Sequence, residues 1–286
     1  MHAKDGTKYL LVQPIRWYLK ISFFYFFQKT FNFMKTVQSY IDRSDYSFQG
    51  KRLSEEKINQ YNQYCETKIP SYMDTQDAVS PEKTSQFFLY KKILEKEPQD
   101  KKLRICNIGA FYTLSDVTFL NKRPHCEVFA LDFMPMVKHN HKFKDVRNLN
   151  LIGDYPLDSL QRIYSGLQNK DEPFFDYVLF TRTATLINSN ELFSYFELIK
   201  KISKNVLFLE VAEIMLNKNR VLDISKIPID KPIPAYGSMR IHNYPGILEK
   251  FGFEIVDSAI YDGRGDNFEK DFGMTHKWIY FHGKNC

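Results

Sequence analysis

Apolar positions along the chain change their spacing near residue 100. Before it, Ile15, Leu19, Phe23, Phe27, Phe31 and Met34 recur at steps of three to four, which predicts one helical stripe within residues 9–34. After it, short unbroken apolar runs alternate with segments of helical spacing. The runs predict strands at 103–108, 127–131, 149–152, 175–180, 205–210, 253–260 and 276–282. The segments between them predict helices at 114–122, 134–142, 157–168, 190–203 and 243–251. Runs as apolar as Val178-Leu179-Phe180 and Val206-Leu207-Phe208-Leu209 belong to strands covered on both faces, hence to a mostly parallel sheet between helices. The last two strands have no helix between them, so they are expected to form an antiparallel pair.

This pattern divides the chain into a helical N-terminal extension, 1–80, and an α/β domain, 81–286. Ser80-Pro81-Glu82 marks the boundary as a helix start, with an N-cap serine, a first-turn proline and an acid. That helix is expected to run to about Glu95. Residues 211–240, rich in Ile and Pro, form an insertion just past the fifth strand, where α/β enzymes build substrate pockets.

Composition narrows the partners more than the fold. The net charge is +6 with no block of Lys or Arg, so no nucleic-acid partner is expected. The greasiest stretch, Ile21–Phe27, falls far short of the roughly 20 residues a membrane-spanning helix needs. Cys65, Cys106, Cys126 and Cys286 show no CxxC spacing, which suits free thiols in a reducing compartment, the cytoplasm. The stripe at 9–34 is interleaved with Arg16, Lys20, Lys29 and Lys35. It leaves two readings open: a helix packed on its own domain or on a second copy in a homodimer, and a helix lying in a membrane interface at the cytoplasmic face.

The chemistry is concentrated between residues 103 and 132. Leu103-Arg104-Ile105-Cys106-Asn107-Ile108 reads as a strand running into Gly109; a short helix follows, and then Glu127-Val128-Phe129-Ala130-Leu131 ends on Asp132. A strand, a Gly turn, a helix and an acid closing the next strand is how α/β domains hold an adenosine ribose. A dinucleotide needs a second glycine for its pyrophosphate, and Phe111 at that position argues against NAD or FAD.

Seven strands with a final antiparallel pair, an acid ending the second strand and Gly153-Asp154 after the third together resemble the class I S-adenosylmethionine-dependent methyltransferases, over roughly residues 80–286. The resemblance implies a Rossmann-like sheet and S-adenosylmethionine as cofactor. It places Asn107, Gly109, Ala110 and Phe111 at the methionine end, although Asn107 stands where the family usually has an acid and only the first glycine of its loop is kept. Asp132 and Phe133 match the ribose segment, Gly153, Asp154 and Tyr155 the adenine border, and Thr181 the strand end beside the methyl group. Asn243-Tyr244-Pro245-Gly246 through Phe253-Glu254 resembles the helix-to-strand stretch of small-molecule methyltransferases.

Methyl transfer to a hydroxyl needs alignment of donor and acceptor and removal of a proton. His242, just before a helix, and Glu210, ending the fifth strand, are the expected bases, with Glu213 nearby. Arg182 and Arg240 flank the same mouth and are the expected substrate-binding groups, suited to a carboxylate or phosphate. No metal is expected, because an arginine stands where metal-dependent relatives place an acid, and His139 and His141 point apart at i,i+2 on a helix. Thr181-Arg182-Thr183-Ala184 stands where amino-directed nucleic-acid methyltransferases carry Asn/Asp-Pro-Pro-Tyr. The expected acceptor is therefore a small polar molecule such as a sugar or glycan precursor, methylated on oxygen. The rival expectation is a catalytically inactive methyltransferase-fold scaffold subunit.

Overall fold

The computed structural model describes residues 81–110, 113–132, 143, 145–169, 171–211, 223–234, 240–262 and 277–286. The stripe at 9–34, Phe111, Phe133, the helix expected at 134–142 with His139 and His141, and Glu213 lie outside them. Among the described residues no helix is long and apolar enough to cross a membrane.

The expected helix start at Ser80-Pro81 is instead a short 3₁₀ turn, Pro81–Lys83. Helix α1 begins at Ser85 and runs to Lys96. Thr84 redirects the chain there: its hydroxyl donates to the Pro81 carbonyl at 2.8 Å and meets Ser115 Oγ at 3.2 Å. Strands β1 (Arg104–Ile108), β2 (Glu127–Leu131), β3 (Leu149–Ile152), β4 (Tyr177–Thr181) and β5 (Asn205–Val211) follow in order. Helices α2 (Leu114–Lys122), α3 (Pro156–Gly166) and α4 (Ser189–Ile202) lie between them in the chain. In the insertion, two residues each of β6 (Ile233–Pro234) and β7 (Arg240–Ile241) pair as an antiparallel ribbon that the apolar pattern does not announce. Helix α5 (Tyr244–Lys250) then leads into β8 (Phe253–Asp262) and β9 (Lys277–Asn285).

The seven-stranded sheet has the order β3-β2-β1-β4-β5-β9-β8. Strands β1 to β5 are parallel, and β9 pairs antiparallel with both β5 and β8. The order reverses between β1 and β4, which opens a crevice at their carboxyl ends.

Side chains alternate across the pleat, so each strand feeds two cores. Tyr177 and Leu179 join α1 and α2 on one face, through Phe88, Ile93, Phe119 and Leu120. Val178 and Phe180 join α3, α4 and α5 on the other, through Leu160, Phe196 and Ile247. On that second face Phe208 stacks between Phe180 and Phe196, with ring centroids 5.2 and 5.6 Å away. The helix termini are built locally. Asn188 Oδ1 accepts from Glu191 N–H at 3.0 Å to start α4, and Asn243 Oδ1 accepts from Gly246 N–H at 2.8 Å to start α5. Asn243 also donates to the carbonyls of Ser225 and Ile227, tying the insertion to α5.

Candidate active site

The crevice lies at the carboxyl ends of the strands, between β1, β2 and β3 on one side and β4 and β5 on the other. Gly109 leaves β1 in the left-handed region at φ 74°. Its N–H donates to the Leu131 carbonyl at 2.8 Å, and Ala110 N–H reaches the same oxygen at 3.2 Å. The turn is thereby stitched to the residue before Asp132. Asp132 N–H in turn donates to the Ile152 carbonyl at 3.1 Å, which places Gly153 alongside. Gly109, Ala110, Asp132 and Gly153, expected to share a ligand, thus converge, with Asp132 only 4% exposed.

Asn107 does not face this crevice. Its side chain is buried and Nδ2 donates to Asp116 Oδ1 at 2.9 Å, an oxygen that also accepts from Tyr90 OH at 2.5 Å. Asn107 shapes the loop from below rather than binding at its surface. Asp116 is the functional-region residue that the sequence does not single out. It lies in the first turn of α2, but its partners come from α1 and β1, far along the chain. Burial raises its carboxyl to about 6, against the bonds from Tyr90 and Asn107.

Asp154 is turned outward. It accepts from Arg162 Nη2 at 2.6 Å and from Tyr155 N–H at 2.7 Å, so its carboxylate is shared with a surface ion pair. Tyr155 is buried and donates its hydroxyl to Glu191.

The other wall is organised by Glu210, which is wholly enclosed. Its Oε1 accepts from the backbone N–H groups of Thr183 and Ala184 at 3.1 and 2.9 Å, and Oε2 from Thr185 at 3.2 Å. The carboxylate therefore fixes the 3₁₀ turn Ala184–Leu186 that follows β4. His242 is equally enclosed, its Nε2 2.9 Å from the Ile187 carbonyl and its Nδ1 without a partner. Burial lowers this ring to about 4. Neither group is open to a bound acceptor, which corrects the expectation of a base at Glu210 or His242: both hold the wall in place. Thr181 is buried at the end of β4, its carbonyl accepting from Thr183 Oγ1 at 3.2 Å.

Arg182 follows β4, and Arg240 is tied to the turn after it. Arg182 has φ 59°, donates its N–H to the Leu209 carbonyl at 2.9 Å, and holds its guanidinium 5.4 Å from the Trp278 ring. Arg240 accepts from Thr185 Oγ1 at 2.6 Å through its carbonyl, which anchors β7 to the same turn. Among the described residues no three His, Cys, Asp or Glu side chains cluster as metal ligands.

The enclosure of Glu210 has a measurable consequence. Burial pushes it up to about 8 from an ordinary value of 4.5, outweighing the three N–H bonds. A carboxyl raised in the folded state contributes stability that is complete below its ordinary value and is lost as pH rises through the raised one. His242 and His282, both lowered to about 4 by burial, act below pH 6.5, where their contribution is lost as pH falls. Asp116 completes its titration near 6. Among the described residues, Glu210 therefore dominates between pH 7 and 8. The unfolding free energy falls with rising pH there, by up to about 1.4 kcal/mol per unit for one proton. Urea denaturation across this window detects the slope, and Glu210→Gln abolishes it.

No family model and no curated protein sequence matches the chain. Among solved structures it is similar to the Burkholderia thailandensis 1,6-didemethyltoxoflavin-N1-methyltransferase. The TM-score is 0.50 at 11% identity, covering 84% of this chain and 93% of that one. The chain has the methyltransferase fold. The mitomycin 7-O-methyltransferase gives a TM-score of 0.49 at 10% identity, covering 79% of this chain and 60% of the other. The strand order and the antiparallel β9-β8 edge match what the sequence resemblance implies for this fold.

Proposed function

We propose that this chain is an S-adenosylmethionine-dependent methyltransferase that methylates oxygen in a small polar acceptor such as a sugar or glycan precursor. The observation that carries the reading is the Gly109 turn bonded to Leu131 beside the buried Asp132, at the point where the sheet order reverses. The Burkholderia relative holds S-adenosylhomocysteine and 1,6-didemethyltoxoflavin in its own structure. The residues present fit such a cofactor. Asp132 would accept from the ribose hydroxyls, Gly109 and Ala110 keep the first two positions of the loop small, and Thr181 would border the reacting end. When bound, the cofactor supplies an electrophilic methyl group on a sulfonium.

The chain's own contribution is then orientation and exclusion of water. Glu210 fixes the β4 turn so that acceptor and donor meet in line, which is where a large part of the rate enhancement of a displacement reaction arises. Arg182 and Arg240 hold the acceptor at the mouth. The enclosure of Glu210 and His242 favours one competing reading, a non-catalytic scaffold that retains the cofactor pocket.

Label transfer separates the two. Full-length protein incubated with methyl-labelled S-adenosylmethionine and a panel of sugars, phenols and amines is expected to label a hydroxyl acceptor and release one S-adenosylhomocysteine per methyl group. Label on amines alone contradicts the oxygen assignment. Cofactor binding without turnover on any acceptor supports the scaffold.

A further inference from the structure

We infer that the acceptor is an anion, held at the mouth through a carboxylate or phosphate group by Arg240, with Arg182 as the second cation. Calling the ligand an acceptor rests on the methyltransferase reading; the anion site itself does not.

Arg240 is the stronger observation. Arg240 is half-buried, and its Nη1 is sealed from water with no hydrogen-bond partner among the described residues. Arginine stays charged in proteins, so an orphaned buried N–H on it is a cost to the folded state that calls for a function. Burial lowers its pKa, and no acid offsets that effect. Glu210, which is bonded to the same turn, is already engaged by three backbone N–H groups. Arg240 is also fixed in place, because Thr185 binds its carbonyl at 2.6 Å while Thr185 N–H binds Glu210. The same turn carries Thr183, against which Gly109 is packed. The backbone that carries the orphaned guanidinium is therefore tied to the turn that meets the cofactor loop.

Arg182 begins that turn. It is exposed, occupies left-handed backbone, and is in no ion pair among the described residues. Its charge acts on Glu210 only through space. It lies over Trp278, whose Nε1 is also buried and unpaired. A non-glycine residue held in a sparsely populated backbone region beside a pocket is a common mark of a binding site. Two guanidinium groups, one starting this turn and one on the strand bonded to it, are in no salt bridge among the described residues, and each presents the planar donor fork that carboxylates and phosphates accept.

The test uses inorganic phosphate and acetate as probes, titrated by calorimetry into the full-length protein with and without S-adenosylhomocysteine. At least one anion is expected to bind, and the tighter of the two identifies the acceptor's group. Arg240→Met is expected to weaken it at least tenfold without lowering Tm, since the group removed has an unpaired N–H. Arg240→Lys, which keeps charge but loses the fork, is expected to fall between. Arg182→Gln is expected to weaken binding several-fold. Binding unchanged in Arg240→Met, or no binding of either anion to folded wild type, overturns the inference. Arg240-dependent phosphate binding in protein that does not bind S-adenosylhomocysteine leaves the anion site standing and removes the methyltransferase reading.

Discussion

Gly109→Ala is expected to lower the unfolding free energy by about 3 kcal/mol or more, and to cost cofactor binding with it. Two effects add. The residue has φ 74°, where a side chain costs about 1–2 kcal/mol. A Cβ built there would also lie 2.1 Å from Thr183 Oγ1 and 2.6 Å from Thr183 Cγ2. Thr183 cannot swing away cheaply, because it is β-branched, its N–H is bound to Glu210 and its hydroxyl to the Thr181 carbonyl. The loop after β1 and the turn after β4 must therefore separate, which widens the crevice where the ligand is expected. Urea denaturation measures the loss. Adding Thr183→Gly should restore the part due to overlap and leave the part due to φ. A Gly109→Ala protein as stable as wild type would contradict both the left-handed backbone at Gly109 and its contact with Thr183.

What is legible in the sequence follows from how local each signal is. The strands β1, β2, β4 and β5 are near-continuous apolar runs, and their order along the chain is enough to expect a parallel sheet with an antiparallel end. Asp132 closes such a run, and its neighbours are brought to it by backbone bonds that any sequence in that register would make. Glu210 and His242 mislead for the opposite reason. The place of Glu210 at a strand end and of His242 before a helix is visible, but their burial depends on three backbone N–H groups from a 3₁₀ turn and on the Ile187 carbonyl, none of which has a sequence pattern. Asp116 is hidden in the same way. An acid in the first turn of a helix is ordinarily a solvated cap, and only Tyr90 and Asn107, 26 and 9 residues away, make it a buried hub. The Pro81 turn departs from the expected helix start because Thr84 bonds back to the Pro81 carbonyl and the α-helix begins only after it.

Asp132→Ala carries the second large expectation, at least a hundredfold loss of affinity for S-adenosylhomocysteine. A carboxylate that accepts from two ribose hydroxyls contributes charge-assisted bonds of about 1.5–3 kcal/mol each, so removing both acceptors costs about 3 kcal/mol or more. Asp132 is buried at the end of β2, and its backbone is fixed by the Ile152 carbonyl at 3.1 Å. The substitution therefore removes the acceptors without moving the strand, and Asp132→Asn, which keeps one carbonyl acceptor, should fall between. Calorimetric titration of S-adenosylhomocysteine into full-length wild type and Asp132→Ala, both shown to be folded, is the most direct measurement. The expected result is saturable binding near micromolar, about −8 kcal/mol, that Asp132→Ala abolishes. Absence of binding to the folded wild type, or equal binding to both proteins, would contradict the assignment of this crevice as a cofactor site.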